Sequence, residues 1–216
     1  MAEFFASHEA LPGWTVFLRE WAVARIQKDR AYVNAAAWIR LGENPEASLD
    51  ELVFAFRAAG KGAGFWITPA SSPRQLPALL RSRDFRLRRK FPAMRRALSG
   101  KIPRFATDGW EIAEIEASNQ PPNAALLAAV HKGRKLGSCL VSLGAETAGL
   151  HDVEVAASHR NRGIGTSLVL AACSFAQDRG RNSIGLLSAA LAENVYGRCG
   201  FVEVGRFDYW YSALTA

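Results

Sequence analysis

The chain has 216 residues, 49% hydrophobic and 22% charged, with a formal net charge of +7 at pH 7. That length bounds it to one or two domains, and the composition is that of a soluble globular protein, not a disordered or fibrous one. No apolar run approaches the roughly 18–20 residues of a membrane span, and the opening MAEFFASHEALPGW lacks the basic and apolar segments of a secretory leader, so a membrane partner is not expected.

Three cysteines, Cys139, Cys173 and Cys199, are widely spaced and form no Cys-x-x-Cys pair. They read as small buried hydrophobes in a reducing cytoplasm, and neither a metal site nor a disulfide framework is expected.

In chain order, the spacing of Trp14, Phe17, Leu18, Trp21 and Ile26 predicts a helix over residues 12–29. Residues 31–41 are strand-like, and Gly42-Glu43-Asn44-Pro45 reads as a turn. Ser48, with Glu51 three positions on, forms a capping box that opens a helix to about Ala59. Residues 64–68 make a short buried strand. Ser72-Pro73 opens a helix to about Leu80, a basic strand follows, and residues 99–103 read as a linker. Strands are expected over 110–115, 123–131 and 136–143, the last two joined by a hairpin at Lys132–Lys135. Residues 150–157 form the next strand and 163–179 a helix. That helix buries Ile164, Leu168, Ala171, Ala172 and Phe175 on one face, and Gly180 stops it. A strand over 183–188, a helix over 190–198 and a strand over 201–211 complete the chain.

The order FWIT, PRQLPALL, Asp84-Phe85, basic strand is echoed by IGLLS, AALAENVYGR, Gly200-Phe201, strand. A duplicated unit is therefore expected, with halves 1–100 and 101–216. Residues 1–100 carry 16 Lys and Arg against 9 Asp and Glu, and residues 101–216 carry 11 against 11. Much of the excess lies between Arg81 and Arg96, which could meet nucleic acid or an acidic partner. RLRRKFPAMRRAL partly alternates charged with apolar residues, as a half-exposed strand does, and offers few aromatics for base stacking. Nucleic acid is not the expected partner.

The most informative residues are Arg160, Asn161, Arg162, Gly163, Ile164, Gly165 and Thr166. They lie between a strand and a helix, where a glycine-rich turn gathers backbone N–H groups at one point. The helix N-terminus adds about half a positive charge there, so the turn is a seat for phosphate or pyrophosphate. Gly163 and Gly165 keep side chains out of the approach. Arg57-Ala58-Ala59-Gly60-Lys61-Gly62 has the same spelling but follows a helix and precedes a strand. Its glycines read as a helix stop, where exposed carbonyls repel an anion.

In that setting, VEVAASHRNRGIGTSLVLAA resembles the central motif of the GCN5-related N-acetyltransferase (GNAT) superfamily. Tyr196-Gly197-Arg198-Cys199-Gly200-Phe201 resembles its second motif, Tyr-x-x-x-Gly-Phe. The resemblance covers roughly residues 105–212. The front half looks like the degenerate half of two-unit members, with Leu80 where the motif tyrosine would fall. The resemblance implies an α/β fold, a mixed twisted sheet flanked by helices in two similar halves (the acyl-CoA N-acyltransferase fold). It implies acetyl-CoA, or another acyl-CoA, as donor and a primary amine of a small molecule or peptide as acceptor. Residues 160–166 would hold the pyrophosphate. The edge of Val153, Glu154 and Val155 would bond the pantetheine amides, and an N–H there would polarise the thioester carbonyl.

Such chemistry needs two proton handlers. Tyr196 takes the place of the acid. His151, read as sharing the strand parity of Val153 and Val155, is a candidate base, with a carboxylate reached through water as another. Each has a structural reading too, a core tyrosine and a hydrogen-bonded strand histidine. His8, His131 and His159 read as structural. Ala189 stands where the family often has asparagine, and Asn194 is out of register. An alternative to the acetyltransferase is a non-catalytic acyl-CoA sensor or interaction module. Oligomeric state is not legible.

Overall fold

The structure, a computed structural model, describes residues 13–27, 34–60, 62–103, 109–116 and 120–213. The expectations at His8, Pro12, Asp29, Ala31 and Lys61 fall outside the described residues. Two compact units are formed, Met1–Phe91 with Arg206–Ala216, and Pro92–Gly205. The boundary read from the sequence, 100/101, lies inside the second.

In the first unit, β1 (Trp14–Arg19) and β2 (Ala22–Gln27) form an antiparallel hairpin where a helix was expected. Thr15, Val16, Val23 and Ile26 are β-branched and suit a pleated surface. The three-to-four spacing that suggested a helix comes instead from the turn, which folds Trp21 edge-on against Phe17 at 6.1 Å. β3 (Ala35–Ala37) follows, then α1 (Pro45–Ala58). Helix α1 starts before Ser48 because Asn44 caps it, its side-chain oxygen accepting from the Ala47 N–H at 3.2 Å. β4 (Ala63–Ile67) precedes α2 (Leu76–Arg81), which begins after Pro73, not at it. Backbone bonds from Ser72 N–H to the Ile39 carbonyl and from Leu41 N–H to the Ser72 carbonyl, both 3.0 Å, hold that segment extended. The sheet order is β1-β2-β3-β4-β11, with β11 spanning Val202–Ser212 and β3 and β4 parallel. The core packs Phe65 edge-to-face with Phe56 at 5.9 Å and with Phe85 at 4.9 Å.

The second unit holds the later residues of β5 (Arg86–Ala97), then β6 (Glu111–Ile115), β7 (Ala124–His131), β8 (Arg134–Leu143) and β9 (Thr147–Val155). Helix α3 (Ile164–Asp178), β10 (Ser183–Leu187) and α4 (Glu193–Arg198) follow. Its sheet runs β5-β10-β9-β8-β7-β6. Ile164, Leu168 and Ala172 of α3 are buried against Cys139, Val141, Leu150 and Ile184, while Ala171 and Phe175 are only partly covered. The expected linker is part of this unit. Leu98 and Ile102 enter its core, and the Gln177 side-chain amide donates to the Leu98 and Gly100 carbonyls at 2.6 and 2.8 Å.

Both units run strand, long helix, strand, short helix, long strand. The echo extends to single bonds. Phe85 N–H bonds the Leu80 carbonyl at 3.0 Å, and Phe201 N–H bonds the Tyr196 carbonyl at 3.1 Å. Asp84 (φ 61°) and Gly200 (φ 81°) supply the left-handed residue in each. β5 begins in the first unit and ends in the second, and β11 does the reverse.

On the sheet face away from α1, Tyr209 lies flat over Gly64. A Cβ there would stand 2.3 Å from the Tyr209 ring carbon Cε2. Gly64→Ala is expected to cost about 1–3 kcal/mol, as overpacking does, read from urea denaturation. Adding Tyr209→Ala should recover part of the loss.

Candidate active site

The glycine turn sits where the sequence puts it. β9 ends at Val155, a single 3-10 turn covers Ala157–His159, and the Arg160 Nε donates back to the Val155 carbonyl at 3.2 Å. Asn161 (φ 61°) and Gly163 (φ 84°) take left-handed conformations that reverse the chain into α3. Gly163 is the N-cap, and no side chain caps the helix. The first N–H groups of a helix have no partner within it, so those of the first turn open into a groove with the positive end of the dipole behind them. Ile164 is 1% exposed, and its side chain anchors the turn in the core while its backbone faces outward. A Cβ on Gly165 would meet only Val155 Cγ2, at 3.8 Å, so the glycine leaves space there. The groove has a volume of about 1580 Å³, and Val153, Glu154, Val155, Arg160, Asn161, Gly163, Ile164, Gly165 and Thr166 all line it. Arg162 is exposed and is not part of its wall.

The other spelling is a helix end. Gly60 (φ 67°) follows α1, and its N–H bonds the Arg57 carbonyl at 2.8 Å. At its other end, α1 is filled by the Asn44 cap and has Glu46 in its first turn, which opposes an anion.

β9 and β10 pair in parallel only over Ser183–Gly185 with Thr147–Gly149. Beyond Gly149, among the described residues, β9 keeps partners on β8 alone, so its other edge offers unpaired N–H and C=O groups. A bulge at Asp152 (φ 50°) interrupts the strand, with a register shift between Ser138 and Leu140. The bulge corrects the parity read from the sequence. Val155 pairs with Gly137 and faces α3, whereas His151 pairs with Leu140 and faces the opposite side. The His151 Nε2 is 2.8 Å from the Ser142 hydroxyl, and both side chains lean over Gly149. His151 does not line the groove. Asp152 within the strand was the available signal, since Asp tolerates the left-handed region that this bulge uses.

Tyr196, on α4, forms part of the groove wall. It is 8% exposed and packs edge-on against Phe201 at 5.9 Å. Burial pushes its phenol above the ordinary value, with the Cys139 and Cys199 thiols adding to the rise, so it holds its proton. Burial also pushes the Cys139 thiol to about 12 and the Cys173 thiol to about 11. All three cysteines are free, as small core residues. Arg96, missed by the sequence reading, lines the groove and donates to the Cys199 carbonyl. The alternation of β5 could have flagged it. Ala189 lines the groove and Asn194 does not, while Leu191 stands fully exposed at its rim.

Residues 91–201 match the acetyltransferase (GNAT) family profile. The chain belongs to the GNAT family. A GCN5-related N-acetyltransferase from Kribbella flavida is similar at TM-score 0.75 and 13% identity, covering 98% of this chain and 95% of that one. A tandem GNAT protein from the clavulanic acid biosynthesis pathway gives 0.67 and 13%, over 96% and 85%. A GCN5-related N-acetyltransferase from Sphaerobacter thermophilus gives 0.63 and 16%, over 93% and 82%. At such identities the likeness is one of fold, the GNAT acyl-CoA N-acyltransferase fold. No curated protein matched by sequence. Among the described residues no helix is long and apolar enough to cross a membrane.

The raised phenol of Tyr196 has a stability signature. The fold favours the neutral form, so its contribution is full below pH 10 and fades as pH rises beyond that. Relative to the parent, Tyr196→Phe should gain stability between pH 9 and pH 11, the ordinary phenol value of 10.0 lying between them. Urea midpoints at both pH values would measure this.

Proposed function

We propose that this GNAT protein transfers an acetyl group from acetyl-CoA to a primary amine of a small molecule or peptide. One observation carries the reading: the uncapped start of α3, the unpaired edge of β9 and the protonated Tyr196 converge on one groove. The N–H groups of residues 163–166 would take the diphosphate, with Arg160 and Asn161 beside them, and Arg162 would add charge from outside the wall. The edge at Val153, Glu154 and Val155 would bond the pantetheine amides as an added strand does. The room left at Gly165 supports the fit.

Acetyl-CoA would supply an activated thioester carbonyl. A backbone N–H beside the bulge would stabilise the negative charge that develops on its oxygen. The C–N bond forms as the C–S bond breaks, the amine giving up a proton and the departing sulfur receiving one from Tyr196. His151 would receive the amine's proton from the other face of β9, with Ser142 orienting its ring. Attack and departure would then proceed from opposite sides of the strand opening. The two units divide the work, since the capped α1 offers no second diphosphate seat. Three unpaired thiols fit a cytoplasmic setting.

Calorimetry with CoA tests the seat. Gly165→Val fills it without straining the backbone and should weaken CoA binding at least about tenfold, or 1.4 kcal/mol. Tyr196→Phe should keep CoA affinity and lower kcat by about 10²-fold. CoA binding without turnover on a broad amine panel would favour the sensor reading, and no CoA binding would end both.

A further inference from the structure

One ladder row of the second unit crosses five strands as Arg95, Gly185, Gly149, Ser142 and Ala124. Paired residues on neighbouring strands project from the same sheet face. His151 joins that face through its pairing with Leu140. It is the face away from α3, because Val141, Leu150 and Ile184, of the opposite parity, are buried in the core with Ile164 and Leu168.

Arg19, Arg83, Arg86 and Arg179 each hold a carboxylate. Arg95 is exposed and has no such partner among the described residues. The Ser142–His151 pair covers Gly149, and between that pair and Arg95 the floor is the backbone of Gly185. A Cβ on Gly185 would touch only the Met94 carbonyl oxygen, at 3.6 Å, and one on Gly149 would stand 2.6 Å from both the His151 Nε2 and the Ser142 hydroxyl. Two strand spacings, roughly 10 Å, separate Arg95 from Gly149. A cation without a carboxylate partner among the described residues thus shares one sheet face with a histidine, with Gly185 between them, beside the point where β9 and β10 part.

We propose that the acceptor is an amine that also bears a carboxylate, seated with its carboxylate on Arg95, its amine at His151 and its body across Gly185. The inference rests on the acetyl-transfer reading and narrows its acceptor. The guanidinium fork matches a carboxylate with two parallel hydrogen bonds and discriminates it from a neutral amide. A substrate with both groups spans the gap, whereas a simple alkylamine leaves Arg95 unmatched.

The test is acetyl transfer from acetyl-CoA to free amino acids and to their carboxamides, which keep amine and size but lose the charge. The unaltered enzyme is expected to prefer the carboxylate of each pair by about tenfold or more in kcat/KM, carried by KM. Arg95→Gln should lose that preference and Arg95→Lys keep part of it, with CoA calorimetry showing that each variant is folded. On the unaltered enzyme, added salt should raise KM for the carboxylate member more than for the carboxamide. Equal use of both members, or a preference that survives Arg95→Gln, overturns the inference and leaves acetyl transfer standing. No turnover with any amine overturns both.

Discussion

The site depends on β9 and β10 ceasing to pair. Their parallel contact covers three residues on each strand and ends at Gly149 and Gly185. A strand edge stripped of its neighbour carries a row of backbone donors and acceptors that must find other partners. The bulge at Asp152 turns that edge and re-aims the side chains on either side of it. The same chain then rounds the glycine turn into α3, whose first N–H groups are also unmet. Two sets of unsatisfied backbone groups are thereby gathered within a few residues.

The two units show how such a site can be closed without losing the scaffold. Asn44, Pro45 and Glu46 stand at the start of α1, where Gly163, Ile164 and Gly165 stand at the start of α3. One set fills the helix end with a side-chain acceptor and a negative charge, and the other leaves it open. Leu80, Asp84 and Phe85 reproduce the backbone of Tyr196, Gly200 and Phe201 with no hydroxyl to offer. Phe85 and Phe201 are buried alike in the two cores.

What the sequence made legible follows from the range of the forces. Turn 160–166, the helix after it and the hairpin at Lys132 are set by neighbours in the chain, and local spelling carried them. The hairpin of β1 and β2 was misread because a turn between strands can mimic helical spacing. Asn44 caps α1 from within a Gly-Glu-Asn-Pro stretch whose spelling is that of a turn, while Ser48 and Glu51 spell a capping box one turn later. The facing of His151 needed the Asp152 bulge, one residue of extra length that reverses every side chain beyond it. The row from Arg95 to Ser142 joins residues far apart in sequence, and pairing register alone brings them into line.

The passage of β5 and β11 between units has a consequence for dissection. A fragment ending near residue 100 would lack the segment that pairs with β4, Asp208–Ser212. One beginning there would lack Ala93–Ala97, the antiparallel neighbour of β10. Each piece would present a raw hydrogen-bonding border to solvent and to other copies of itself, an invitation to clump. Neither fragment would therefore keep its own unit's sheet whole.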